Sequence, residues 1–72
     1  QIRSIVDKHM KDYPYEVTFL DVIQTGRKIW VEVYIGNRTD VIHISVLHRV
    51  RDEIKQELKH KYDQVYIEII PD

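Results

Sequence analysis

The 72-residue sequence has no cysteine, two glycines, two prolines and a formal charge of only −1. Without cysteine sulfur neither a disulfide scaffold nor a thiolate zinc site can form. Eleven Lys and Arg against twelve Asp and Glu leave no bulk positive field to gather a polyanion, so nucleic acid is not the expected partner. No apolar run approaches the ~18–20 residues that a bilayer span needs. The chain opens at Gln1, directly in a helical pattern, and reads as a soluble piece of a longer protein, expected to form a single domain over residues 1–72. Few glycines and prolines beside a 43% apolar share are not the composition of a disordered chain. A domain this small carries about 3–5 kcal/mol of net stability unless a metal or a partner adds to it.

The apolar residues that are present fall into clear periods. Ile2, Ile5, Val6 and Met10 share one helical stripe, and Pro14 stops it because Tyr13 before it is pushed out of the α region. This predicts a first helix from Ile2 to Lys11. Glu16 to Gln24 is rich in β-branched and aromatic residues, and Thr25, Gly26 and Arg27 supply a turn. From Lys28 to Ile35, Ile29, Val31, Val33 and Ile35 alternate with Trp30, Glu32 and Tyr34, which predicts a strand and closes a hairpin with the previous one. After a polar loop over Gly36–Asp40, Ile44, Leu47, Val50, Ile54 and Leu58 recur at threes and fours, an amphipathic helix on which Glu57 can pair with Lys61. Asp40, His43 and Ser45 could each cap its start, Ser45 being the better intrinsic cap. Gln64 to Ile70 alternates again and ends at Pro71. The expected fold is α+β, an αββαβ truncated ferredoxin-like arrangement. It has a three-stranded sheet with two helices on one face, the second and third strands being parallel.

The better hydrophobes of the second and third strands should meet the helices. The other face then carries Thr18, Leu20 and Val22, Trp30, Glu32 and Tyr34, and Tyr66, Glu68 and Ile70. Such a mixed aromatic and carboxylate surface on a small domain reads as an interface, with Trp30, Tyr34 and Tyr66 as its contacts. The plainer alternative is a set of half-exposed sheet aromatics with no partner. No nucleophile constellation or glycine-rich phosphate loop is present, and two carboxylates on a flat sheet lack a pocket, so no enzyme is expected. His9 and His60 read as solvated helix residues. By residue type, Glu32, His48 and Glu68 are the set that could converge on a divalent ion.

Four stretches together resemble the C-terminal cytoplasmic domain of cation diffusion facilitator transporters. They are the glycine turn Gln24-Thr25-Gly26-Arg27, the strand Ile29-Trp30-Val31-Glu32-Val33, the helix from Ser45 to Ile54 with His48 near its start, and the terminal strand Val65 to Pro71. The resemblance covers most of the chain and is strongest from Val17 to Pro71. It implies a homodimeric αββαβ module on the cytoplasmic side of a membrane, attached to the membrane domain of the same chain. In that setting a divalent ion such as zinc or manganese would favour a transport-competent arrangement. The family's strand-two histidine falls on Glu32 and its terminal-strand histidine on Glu68. Its strand-one histidine falls near Thr18, and its helix histidine is kept as His48. Carboxylates in place of imidazoles shift preference toward harder ions such as Mn²⁺ or Mg²⁺.

Overall fold

The computed structural model describes residues 1–37 and 43–71. The order is α1 (Ile2–Met10), β1 (Tyr15–Thr25), β2 (Lys28–Asn37), α2 (Ile44–Leu58) and β3 (Gln64–Pro71). β2 lies in the middle of the sheet, antiparallel to β1 and parallel to β3. This is the expected truncated ferredoxin-like topology. Parts of the expected loop and the candidate cap Asp40 lie outside the described residues.

The core is the meeting of two periods. Ile29, Val31, Val33 and Ile35 project from β2 toward the helices, joined by Val65 and Ile67 from β3, and all are buried. Against them α1 sets Ile5, Val6 and Met10, and α2 sets Leu47, Val50, Ile54 and Leu58. Apart from Tyr15, whose hydroxyl is hydrogen-bonded, the buried side chains among the described residues are all apolar, so apolar burial dominates the core. Gly26 takes φ +60° in the hairpin turn, a conformation in which a side chain would be strained.

Of the candidate caps, His43 takes the N-cap position before α2, ahead of the intrinsically better Ser45: the His43 carbonyl accepts the N–H groups of Val46 and Leu47. The cause lies in β1, where the buried Tyr15 receives the His43 N–H at its hydroxyl, 3.1 Å away, and so fixes where the chain enters the helix. One expectation is corrected, the phase of β1. The register against β2 shifts between Val17 and Phe19, with Thr18 as the inserted residue of a β-bulge. The Thr18 hydroxyl donates to the Tyr34 carbonyl, 3.1 Å away. Its methyl lies 3.3 Å from where a Gly36 Cβ would stand, so the absent side chain at Gly36 makes room for the bulge. Beyond the bulge Leu20 pairs with Val33 and Val22 with Val31, which turns Leu20 and Val22 to the helix side. Phe19, Asp21 and Ile23 take the open face instead, opposite Tyr34, Glu32 and Trp30. Strict alternation from the start of the strand misses this, because a bulge changes the phase by one.

Candidate functional site: an aromatic and carboxylate sheet face

The register arranges the uncovered face as three rows running across the strands. Ile23, Trp30 and Tyr66 form the first, Asp21, Glu32 and Glu68 the second, and Phe19, Tyr34 and Ile70 the third. A band of carboxylates therefore lies between two apolar bands. Each apolar band is locally packed. The Trp30 and Tyr66 rings stack with centroids 5.1 Å apart and planes at 17°, and Lys28 Nζ sits 5.0 Å from the Trp30 ring. Phe19 and Tyr34 meet at 5.7 Å in a tilted pair. The side chains are nonetheless open to solvent: Phe19 is 58% exposed, Ile23 56%, Tyr66 46% and Trp30 40%. The three residues expected as contacts, Trp30, Tyr34 and Tyr66, thus share one face.

Asp21 is the residue that sequence reasoning missed in the middle row, and the bulge at Thr18 is why. Three like charges abreast on neighbouring strands oppose one another. Among the described residues the ion pairs run elsewhere: Arg3 to Asp7, Lys8 and His9 to Glu57, His9 to Glu53, Arg27 to Asp63 and Arg51 to Asp52. The negative field is felt by Tyr34, whose hydroxyl donates to Glu32 Oε1 at 3.3 Å. The Glu32 charge, then partial burial and the hydrogen bond to Glu32, then Asp21 and Glu68, hold the Tyr34 phenol above its ordinary value.

The three residues expected to converge on an ion are divided between two hollows. Glu32 and Glu68 line the larger, roughly 680 Å³, with Asp21, Trp30 and Tyr66. His48 and Glu68 line a smaller one between the start of α2 and the end of β3, with Arg51 and Pro71. Glu68 belongs to both, whereas Glu32 and His48 share neither. Among the described residues no three His, Asp or Glu side chains form a metal-holding group, and no helix is long and apolar enough to cross a membrane.

No protein-family model matches the chain, and no curated protein sequence matches it. Solved structures do. The C-terminal domain of the magnetosome protein MamB from Desulfamplus magnetovallimortis BW-1 is 17% identical and superposes with a TM-score of 0.61, over 99% of this chain and 91% of that one. A substituted MamM C-terminal domain in a cadmium form is 15% identical, with a TM-score of 0.59 and the same coverage. Another, in a nickel form, is 14% identical at a TM-score of 0.59, over 99% of this chain and 92% of that one. The chain has the fold of these C-terminal domains. The agreement runs from end to end, so the αββαβ unit is matched as a whole, not through a shared helix or hairpin.

Proposed function

We propose that the chain is the cytoplasmic regulatory and dimerisation domain of a cation diffusion facilitator, a divalent-cation efflux transporter. The observation that carries this reading is the three-row open face. A band of carboxylates between two exposed aromatic bands suits a surface that pairs with its own copy and is governed by cations. The fold shared with the MamB and MamM domains supports it, as do the cadmium and nickel forms of MamM.

The physical mechanism follows from the rows. Apposing two such faces buries Trp30, Tyr66, Phe19 and Ile23, which favours association. The same approach brings two rows of Asp21, Glu32 and Glu68 toward one another, which opposes it. A divalent cation removes that opposition and shifts the population to the closed pair in proportion to how much better it binds that state. The donor set fits such an ion when two copies contribute, because the described residues of one chain alone offer no metal-holding trio. Carboxylate oxygens are hard donors, so Mn²⁺ is favoured relative to an imidazole-rich site, and zinc is held less tightly. His48 offers an imidazole at the smaller hollow, beside Glu68.

Sedimentation at micromolar concentration, with and without Mn²⁺ or Zn²⁺, tests the pairing. A dimer that strengthens with the ion is expected, and a strict monomer in every condition overturns the reading. Calorimetric titration of the same ions into Glu32→Ala and Glu68→Ala tests the donors. Reduced heats are expected, and heats equal to those of the unsubstituted chain remove these residues from the site. One observation favours a second reading, a stand-alone protein-interaction or small-ligand module. The larger hollow also draws in Arg51, Asp52 and Lys55 from α2, so it offers polar groups of both signs to a small ligand. Monomeric behaviour in all ions would leave that reading standing.

A further inference from the structure

Away from the open face, the two helices are joined by a cluster whose chemistry none of the preceding uses. His9, near the end of α1, directs both ring nitrogens at α2: Nε2 lies 2.9 Å from Glu57 Oε1 and Nδ1 3.6 Å from Glu53 Oε1. Its side chain is 20% exposed, so water only partly substitutes for these partners. Lys8 Nζ completes the cluster, 2.9 Å from Glu57 Oε1 and 3.0 Å from Oε2. The expected Glu57–Lys61 pair is replaced by this one, because α2 ends at Leu58 and Lys61 is no longer on the helix.

We propose that His9 is a proton-operated clasp that fastens α1 to α2. A carboxylate can only accept hydrogen bonds, so the Nε2–Glu57 bond needs an N–H on the ring. The longer Nδ1–Glu53 approach is attractive as an ion pair when the ring is charged. The imidazolium has two N–H groups and serves both glutamates. Neutral imidazole has one, and its bare nitrogen then turns a lone pair on a carboxylate. The geometry suits the doubly protonated ring better than the neutral one, so the clasp is tight while the ring carries both N–H groups and loosens when it gives one up. The charged groups facing His9 are Glu53 and Glu57 on α2 and Lys8 on its own helix. β1 is the other element packed on α1, and the hollow between them is lined by Tyr15 and Glu16 of β1, with Arg3 and Asp7 of α1 and Lys11 at its end. The Tyr15 hydroxyl is engaged by the His43 N–H. Glu57 stays ionised well into acid, because Lys8 and then His9 hydrogen bond to its carboxylate and hold it below the ordinary range. The Glu57 acceptor is thus in place for the ring, and the ring's proton is the moving part of the clasp.

Hydrogen–deuterium exchange of α1 amides, corrected for intrinsic rates, reads the clasp directly. Between about pH 5.5 and about pH 8, where an imidazole changes charge, α1 protection in the 72-residue chain should fall about three- to tenfold, the scale of one ordinary hydrogen bond lost. His9→Gln should abolish that dependence, and His60→Gln, beyond the end of α2, should keep it. Unchanged α1 protection across the interval, or an equal fall in His9→Gln, overturns the proposal. Should His9→Gln fail to fold, Glu53→Gln gives the same answer: a shallower fall supports the clasp and an unaltered one removes it.

Discussion

On the helix side of β2, Ile29, Val31, Val33 and Ile35 are all but inaccessible; one residue along the same strand, Trp30, Glu32 and Tyr34 look outward. The two faces share a backbone and a strand order, yet one is uniformly apolar and the other is striped. A helix-covered face is selected for close packing, where any polar group would need a partner. The open face keeps three carboxylates abreast, which works against the stability of the isolated chain. A sequence tolerates such a cost where the surface has work outside the fold, as at other strained or repulsive sites.

The comparison breaks first, and hardest, in the core. Ile54 is fully inaccessible on α2, and Ile54→Ala removes methyl and methylene contacts that the surroundings only partly refill. The cost is about 2–5 kcal/mol, against a total of ~3–5 kcal/mol for a domain of this size. Circular dichroism of the variant should therefore show a chain largely unfolded in buffer, and a native spectrum with an unchanged urea midpoint would mean that the helix-covered face does not carry the fold.

Trp30→Ala makes the opposite kind of change. Its ring is half-exposed and stacked on Tyr66, so the urea midpoint should record a loss of only about 1 kcal/mol, the size of an aromatic pair and some area. If the open face pairs with a second copy, association should weaken at least about tenfold in sedimentation, since a buried aromatic at an interface centre is worth about 2 kcal/mol or more. Equal damage to folding and to association would erase the distinction between the faces.

Much of this division was legible in the order of residues. The alternation from Ile29 to Ile35 named the buried side of β2, and the threes and fours from Leu47 to Leu58 named the buried stripe of α2. Ile44, counted on that stripe, is instead 56% exposed at the first turn. What escaped was set by tertiary detail. Thr18 reads as an ordinary strand residue, and only its fit beside Gly36 reveals the bulge that turns Leu20 and Val22 to the helix side and Asp21 to the open face. Ser45 is the better cap by propensity, but Tyr15, distant in sequence, holds the His43 N–H. His9 reads as solvated because its partners lie on the other helix, and no local spacing marks them. The pairing of Glu32 with Glu68 was readable from the two strands, whereas the separation of His48 from Glu32 required the layers themselves.

The carboxylate row sharpens the comparison with a change of sign. Replacing a core residue costs stability, but Glu32→Gln removes the middle of three like charges and keeps the shape. Without divalent ions the variant should be more stable by about 0.2–1 kcal/mol, the usual value of a cross-strand charge pair, seen as a raised urea midpoint. With Mn²⁺ present the order should reverse, because the unsubstituted chain alone gains from the ion. A lowered midpoint in metal-free buffer would show that Glu32 is there to hold the sheet together.

The finest probe is Tyr34, which reports the field of the row without touching the core. Glu32 first, then burial, the shared hydrogen bond, Asp21 and Glu68 raise its phenol above the ordinary value of 10.0. The sign is fixed by linkage: a raised folded-state value means that the folded chain binds this proton more tightly than the unfolded chain. The stability it contributes is complete below the ordinary phenol range and is lost as pH rises through the folded-state value. Phenolate absorbance of the chain minus that of Tyr34→Phe isolates this one tyrosine among five. In Glu32→Gln the isolated transition should move to lower pH, since the largest cause of the shift is gone, while a smaller displacement remains from Asp21 and Glu68. A transition that stays in place would locate the cause in burial alone and would mean that the row's charges are too well solvated to act on a neighbouring group. Two such faces would then meet without repulsion, and the control of their pairing by a cation would lose its electrostatic basis.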